Sequence, residues 1–300
     1  MVRQYDSADN IANAIIRHMI EDGGYSPKTI AHAREHMAII IGKYLGSRSL
    51  YNFSAEDMRQ ISNNMASSGL AISTQKSYIF ALRSMLRFIH NPASETPVIF
   101  QADIRPRVDW LTPDQAQQVL NYPLPSIERL AVVLCLCMGL RKVELIRLRL
   151  QDIDQGKEYI NVIGKGRAGG KLRLVPFHDR FKPALQDWFK DRTELVSGSR
   201  GEEPDNLFIW KDRKTRQLFP YNSVKASGMD GLIRRASRRV NVHFSAHTLR
   251  RTFGRLMWLS GVPVVVIARM LGHSSTEQTL AYIGANLDDM AGAMSSFILK

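Results

Sequence analysis

A proline-punctuated stretch at residues 91–106 is the feature that most constrains how this 300-residue chain can fold. Pro92, Pro97 and Pro106 interrupt it, and its apolar residues follow neither a helical nor a strand period. Proline lacks the backbone N–H that helices and sheets use, so one continuous element cannot cross this stretch. We therefore predict an interdomain linker between a smaller N-terminal domain and a larger C-terminal domain.

The residues before this stretch have the apolar spacing of a small helical bundle. Ser26-Pro27 predicts a helix start, because serine caps free N–H groups and proline suits the first helical position. Ser54, with Asp57 three residues later, resembles a capping box. A later helix carries apolar residues at helical spacing, namely Tyr78, Leu82, Met85 and Ile89. We predict a four-helix domain over residues 1–92 and a linker over residues 93–110.

Residues 111–300 predict a mixed domain that is mainly α-helical and contains a small antiparallel sheet. Thr112-Pro113 marks its first helix by the same capping logic. Tyr159–Ile163 and Leu172–Phe177 are rich in β-forming residues and are predicted to be strands. The glycine-rich residues 164–170 between them predict a turn. The chain then returns to helices, so the fold class is mainly α, or α+β.

The formal net charge of +13 is concentrated in this second part of the chain. Residues 1–100 contain 10 Lys and Arg against 8 Asp and Glu, whereas residues 101–300 contain 31 against 20. A strongly basic surface usually binds a polyanion, because neutralising phosphates releases counterions. Nucleic acid is therefore the expected partner, and a basic protein without such a partner is the alternative.

Nothing in the sequence predicts a metal site, a disulfide framework or a membrane segment. Cys135 and Cys137 lie two residues apart in an apolar run, which is typical of reduced core thiols. The N-terminus lacks an apolar signal region, and Leu130–Leu140 is too short to cross a bilayer. We expect a soluble, cytoplasmic protein that associates with DNA and has no contact with a membrane.

Four polar residues near the C-terminus, His247, Arg250, His273 and Tyr282, are candidates for catalysis. Ser245 is predicted to cap a helix that extends to Gly261 and presents His247, Arg250, Arg251 and Gly254 on one side. The next helix, Val264–Leu271, ends directly before Gly272 and His273, and Tyr282 falls within a helix at Thr276–Ile283. Taken singly, these residues also suit a solvated basic face, a structural histidine and a half-buried tyrosine.

Their combination resembles the catalytic segment of the tyrosine recombinases, the family of phage integrases and Xer-like site-specific recombinases. The matching residues are His-x-x-Arg at 247–250, Leu-Gly-His-Ser-Ser at 271–275, and Tyr282 nine residues after His273. Upstream, residues 139–145 resemble the family's first arginine box, and Gly164-Lys165-Gly166 resembles its lysine hairpin. Six positions are present in order: Arg141, Lys165, His247, Arg250, His273 and Tyr282. Arg251 departs from the pattern, since the family usually has histidine there.

The resemblance implies the tyrosine recombinase catalytic fold, preceded by a SAM-like core-binding domain that contacts DNA. It implies that Tyr282 is the nucleophile in a reaction through a 3′-phosphotyrosyl intermediate, without metal, ATP or another cofactor. By the same resemblance, His247 accepts the tyrosine proton and Lys165 is the general acid. The phosphate is bound by Arg141, Arg250 and His273. Glu144 either orients a catalytic cation or belongs to a buried structural ion pair.

Two basic clusters are candidates for contact with double-stranded DNA. One is a helical stripe, Arg234, Arg235, Arg238 and Arg239, and the other is a predicted loop containing Lys211, Arg213 and Lys214. Arg251 is a further candidate for a phosphate contact. Solvated surface faces remain the alternative for both clusters.

The last segment, Asp288–Lys300, is amphipathic, with apolar residues Met290, Met294, Phe297 and Ile298. By resemblance it packs on a neighbouring subunit and supports a tetramer on DNA, and packing on its own domain is the alternative.

The predicted activity is site-specific recombination, in integration or excision of a mobile element or in replicon dimer resolution. A type IB topoisomerase and a non-catalytic DNA-binding regulator are the competing interpretations.

Overall fold

The computed structural model describes residues 7–100, 109–164, 171–221 and 228–284. Several predictions lie outside these described residues: residues 101–108 of the linker, the glycine-rich turn after residue 164, the role of Lys165, and the segment Asp288–Lys300. The chain divides into two compact units, with the boundary between Pro106 and Arg107. Within the described ranges, no helix is both long and apolar enough to cross a membrane.

Over residues 7–100, the first unit is built from four α-helices, as the sequence predicts. They are α1 (Ala8–Glu21), α2 (Pro27–Ile39), α3 (Ala55–Ser67) and α4 (Ile72–Phe88). A π-helical turn at Ile40–Leu45 prolongs α2, and a 3-10 turn lies at Leu50–Asn52. Ser26 caps α2 ahead of Pro27, and Ser54 forms a complete capping box with Asp57. Apolar residues from α2, α3 and α4 make up most of its core.

The start of the proline-rich stretch packs on this first unit, although the sequence predicts a linker there. Pro92–Glu95 forms a 3-10 turn, and Val98 and Phe100 pack against the core. The buried amide of Asn91 donates to the carbonyl oxygens of Leu50 and Phe53 at 2.8 and 3.0 Å. These contacts are made by single residues without periodicity, so the sequence pattern did not reveal them.

Among the residues that the structure describes in the second unit, eight α-helices make up most of the fold. They are α5 (Pro113–Asn121), α6 (Ser126–Leu136), α7 (Lys142–Arg147), α8 (Phe181–Ser197), α9 (Met229–Val240), α10 (Ala246–Leu259), α11 (Val264–Leu271) and α12 (Thr276–Ile283). Helix α6 is buried along almost its whole length and packs against α8, α9 and α10. Cys135 lies within it as a buried free thiol, and burial raises its pKa to about 12. A helix this apolar on all sides serves as the centre of the core.

The sheets of this unit are small and antiparallel. Strands β1 (Ile153–Asp154), β2 (Tyr159–Ile163) and β3 (Leu172–Pro176) pair in that order, which confirms the two predicted strands. Strands β4 (Ile209–Lys211) and β5 (Leu218–Pro220) form a hairpin where the sequence predicts a loop. In the β2–β3 register, Val162 opposes Arg173. Arg173 therefore shares the inward face with Val175, because side chains alternate along a strand.

Candidate active site

Helix α10 carries two of the predicted site residues and is packed unusually close to the loop that follows α6. Gly139 in that loop has a φ of +67°, and a Cβ added there would lie 2.6 Å from the Phe253 ring. This close approach lets Arg250, which is 1% exposed, donate from Nη1 to the carbonyl oxygen of Gly139. Arg250 is thus a buried cation held by backbone oxygens.

Three arginines donate hydrogen bonds to three consecutive carbonyl groups at the end of helix α11. Arg173 Nε donates to the oxygen of Met270 at 2.8 Å, and Arg141 Nη2 donates to that of Gly272 at 3.1 Å. Arg250 Nη2 donates to the intervening oxygen of Leu271. The last carbonyls of a helix lack intrahelical partners and carry partial negative charge, so they suit guanidinium donors.

Glu144 is the carboxylate that joins these three arginines. It accepts the backbone N–H of Arg141 at 2.7 Å and Arg141 Nη1 at 2.9 Å. Arg173 binds both of its oxygens, each at 2.8 Å, and Arg250 Nη1 lies 3.7 Å away. Burial alone would raise the pKa of Glu144, but hydrogen bonds and charge from Arg173, then Arg141 and Arg250, lower it below its ordinary value. Glu144 therefore forms a buried ion pair with Arg173 and Arg141, and its orientation of a catalytic cation stays a prediction.

The hydrogen bonds of His273 determine which of its ring nitrogens carries the proton. Nδ1 lies 2.9 Å from Thr279 Oγ1, which donates its own hydrogen to the carbonyl oxygen of Ser275. Nε2 lies 3.4 Å from Arg250 Nη2, which can only donate. The neutral ring therefore has its proton on Nδ1. Burial and then the charges of the nearby arginines lower the pKa of His273 to about 4.

Tyr282 lies between the two histidines. Its ring centroid is 5.3 Å from that of His247 and 5.0 Å from that of His273, both in edge-on geometry. The guanidinium carbons of Arg250 and Arg251 lie 6.0 and 5.6 Å from the same centroid. Its hydroxyl oxygen is shielded from solvent and has no hydrogen-bond partner among the described residues. Burial raises the pKa of Tyr282, and the charges of Arg250 and Arg251 partly offset this rise.

His247 is suited to accept a proton at neutral pH. The residue is exposed to solvent, and its ring lies edge-on to that of Tyr282. Burial, followed by the charges of Arg251, Arg250 and Arg141, lowers its pKa to about 4. The imidazole is therefore uncharged at pH 7 and has a free lone pair.

The predicted DNA-contact residues lie elsewhere in the second unit and differ from one another. All four arginines of the α9 stripe are exposed, but Arg235 and Arg239 lie 3.3 and 3.2 Å from the buried carboxylate of Glu128. Arg234 and Arg238 enter no such ion pair within the described chain. Two members of the stripe thus stabilise the packing of α9 on α6, which the sequence did not reveal.

The second basic cluster lies on the β4–β5 hairpin. Lys211 in β4 donates to the carbonyl oxygen of Leu195 at 3.0 Å and is partly buried. Arg213 and Lys214 are exposed at the turn. Lys211 therefore has a structural contact, and the two turn residues are the ones that present free surface charge.

The structure brings five of the six motif residues into one cluster: Arg141, His247, Arg250, His273 and Tyr282. The sixth, Lys165, lies outside the described residues. Sequence reasoning missed Arg173 and Thr279 as parts of this cluster. Only the inward register of β3 signals Arg173, and no sequence spacing signals Thr279, which lies in α12 six residues after His273. In the described ranges, no three His, Cys, Asp or Glu side chains group in a way that would hold a metal ion.

Comparison with known proteins places this chain in a family of DNA recombinases. A sequence model of the phage integrase family matches residues 109–288. The tyrosine recombinase XerA of Saccharolobus solfataricus is 31% identical over 227 residues, covering 74% of this chain and 68% of that protein. The tyrosine recombinase XerC of Roseiflexus castenholzii is 26% identical over 298 residues, covering 91% of this chain and 88% of that protein.

Solved structures show the same fold. The Tn1549 transposon integrase, in complex with transposon right end DNA, superposes with a TM-score of 0.74 at 21% identity. That match covers 97% of this chain and 99% of the integrase chain. A lambda integrase dimer bound to a core site gives a TM-score of 0.63 at 17% identity, covering 92% and 94% of the two chains. At these identities the likeness establishes the fold, which is mainly α with small antiparallel sheets.

Proposed function

The chain belongs to the phage integrase family, and we propose that it recombines specific DNA sites through attack of Tyr282 on a phosphodiester bond. The observation that carries this proposal is the enclosure of the Tyr282 ring by His247, His273 and Arg250, all within 6.0 Å. A nucleophile, a proton acceptor and a phosphate-binding cation thus share one small space. Strand breakage and rejoining needs these three functions together.

Arg141 and Arg250 are the proposed phosphate ligands. Their guanidinium groups meet at Glu144 and at the end of α11. Planar guanidinium donors match the non-bridging oxygens, on which negative charge grows in the transition state. His273 would add a donor from Nε2 once the phosphate charge offsets the arginine charges that lower its pKa.

The covalent step is proposed to conserve the energy of the broken bond. The Tyr282 oxygen attacks phosphorus, its proton passes to His247, and the bond between phosphorus and the 5′-oxygen breaks. The departing 5′-oxygen takes a proton from a general acid, for which the family resemblance indicates Lys165. The 5′-hydroxyl of a partner strand then attacks the 3′-phosphotyrosine and releases Tyr282. No step requires ATP or a metal ion.

Double-stranded DNA is the partner that this chemistry requires, and the basic surface supports it. We propose that Arg234, Arg238, Arg213 and Lys214 contact phosphates, together with Arg251 beside the tyrosine. Residues 1–92 are proposed as the core-binding domain and residues 111–300 as the catalytic domain. The segment Asp288–Lys300 is proposed to join subunits into a tetramer. Such a protein would act in the cytoplasm on nucleoid DNA, in integration or excision of a mobile element or in replicon dimer resolution.

Covalent capture of DNA tests this function. Wild-type protein is incubated with sheared DNA from its source organism, and protein–DNA adducts are recovered under denaturing conditions and sequenced at the 3′ junction. A nicked duplex built on the recovered sequence should then trap wild-type protein and not Tyr282→Phe. Exchange of strands between two labelled duplexes separates recombination from DNA relaxation alone. The absence of any wild-type adduct would overturn the proposal.

A further inference from the structure

Arg173 occupies the centre of the arginine cluster, although the family motif does not include it among the six catalytic positions. Its side chain is 11% exposed and spends three donor groups there. Two of them form a fork on the oxygens of Glu144, and the third reaches the carbonyl oxygen of Met270. A Cβ added to Gly272 would lie 3.2 Å from Arg173 Nη1, so the guanidinium lies directly against this backbone.

The bidentate bond from Arg173 determines how closely the other two arginines bind the carboxylate of Glu144. Arg173 takes both carboxylate oxygens at 2.8 Å. Arg141 contributes one side-chain bond to Oε1, at 2.9 Å, and Arg250 stays 3.7 Å from Oε2. A bidentate guanidinium pair is the strongest way to satisfy a carboxylate. Because Arg173 fills that role, Arg141 and Arg250 remain only partly engaged by Glu144.

We propose that Arg173 is a positioning residue for DNA strand cleavage, which keeps Arg141 and Arg250 available to the scissile phosphate. Without Arg173, the buried carboxylate of Glu144 would draw these two guanidinium groups onto its own oxygens. Such attraction is strong because the site is shielded from water. The inference rests on the proposed phosphate-binding role of Arg141 and Arg250. It assigns Arg173 no direct contact with DNA.

The test is a double-mutant cycle on the rate of covalent adduct formation with the nicked duplex. Arg173→Met keeps an unbranched apolar stem and removes the guanidinium fork, and we expect it to slow adduct formation about 100-fold. DNA affinity should stay within about threefold, since affinity depends on many phosphate contacts. In a Glu144→Gln background the same substitution should slow adduct formation about fivefold or less, because the competing carboxylate is gone. Arg173→Lys, which keeps the charge without the fork, should fall between wild type and Arg173→Met.

A matched control comes from Arg192 in α8. It is also a buried arginine that binds a carboxylate, Glu203, and backbone oxygens of Pro204 and Asn206. Arg192→Met should lower thermal stability but leave the cleavage rate of folded protein unchanged. If Arg173→Met fails to fold, the cycle is run with Arg173→Lys. Equal penalties in both Glu144 backgrounds, or an equal rate loss in Arg192→Met, would overturn the role of Arg173. A wild-type protein without adducts would instead overturn the proposed function.

Discussion

At the scale of single residues, ionisable side chains of the site have pKa values that differ from those of free side chains. Both histidines that flank Tyr282 have a pKa lowered to about 4 by burial and then by neighbouring arginines. They are therefore neutral at pH 7, although the cluster around them is strongly cationic. A neutral imidazole next to a protonated phenol is the pairing that general-base catalysis needs.

The first prediction concerns the pH dependence of cleavage. A histidine with the ordinary pKa of about 6.5 would become protonated, and fail as a base, between pH 7 and 6. Because the pKa of His247 is about 4, it should stay free to accept a proton throughout this range. We expect single-turnover adduct formation to change less than about twofold from pH 8 to pH 5. A fall of about 30-fold over this range, which a base with the ordinary pKa of about 6.5 would give, would contradict the neutral His247 of this site.

The second prediction concerns Thr279, which accepts the Nδ1 proton of His273. Thr279 is fully buried, and valine has nearly the same shape but cannot accept this hydrogen bond. We expect Thr279→Val to slow adduct formation about tenfold, because the tautomer of His273 is no longer held. Thr279→Ser keeps the hydroxyl and serves as the control. Nitrogen-15 NMR of His273 should show mixed tautomers only in the valine variant, and equal rates in both variants would count against this role.

At the scale of secondary-structure elements, close packing at glycine brings the arginines onto the end of α11. Gly139 allows α10 to approach the loop after α6, and Gly272 ends α11 with a φ of +62°. These two positions let Arg250 and Arg141 reach the carbonyl oxygens of residues 271 and 272. The cluster therefore depends on backbone geometry as much as on the charged side chains.

Substitution of Gly139 tests this dependence. Gly139→Ala would place a methyl group 2.6 Å from the Phe253 ring at a φ of +67°, so both overlap and backbone strain oppose it. We expect a loss of about 3 kcal/mol in the free energy of unfolding, measured by urea denaturation. Gly261→Ala is the control, since its φ is +79° but nothing lies within 4 Å of the added Cβ. It should cost only about 1 kcal/mol, and equal losses would show that packing at Gly139 is unimportant.

Helix α9 separates arginines that pair with a buried carboxylate from arginines that face solvent. Arg235 and Arg239 pair with buried Glu128, whereas Arg234 and Arg238 face solvent. We expect Arg234→Gln with Arg238→Gln to leave thermal stability unchanged and weaken DNA binding. The slope of log affinity against log salt should fall by about 2, since each phosphate contact contributes about 0.9. As the control, Arg235→Gln with Arg239→Gln should lower the melting temperature. An unchanged salt slope in the Arg234 and Arg238 double variant would show that α9 does not contact DNA.

At the scale of the whole molecule, the sequence predicted local structure better than it predicted contacts between distant residues. Helix starts at Ser54 and Ser245 and the strand β2 follow from neighbouring residues, and the structure confirms them. The roles of Arg173 and Thr279 depend instead on strand register and on which groups meet across elements. The packing of Asn91 was hidden for the same reason. Five of the motif residues predicted from the sequence lie together in the described chain, but the contacts that hold them could not be predicted.

The last prediction concerns assembly and uses the C-terminal segment 288–300. If its apolar residues pack on a neighbouring subunit, Phe297→Asp should block strand exchange between two labelled duplexes, because it places a charge in an apolar interface. Covalent cleavage of a single nicked site should persist, and the melting temperature of the free protein should be unchanged. Ser296→Asp adds the same charge at a polar position and should leave exchange intact. A fall in the melting temperature with Phe297→Asp, without a selective loss of exchange, would show that the segment packs on its own domain.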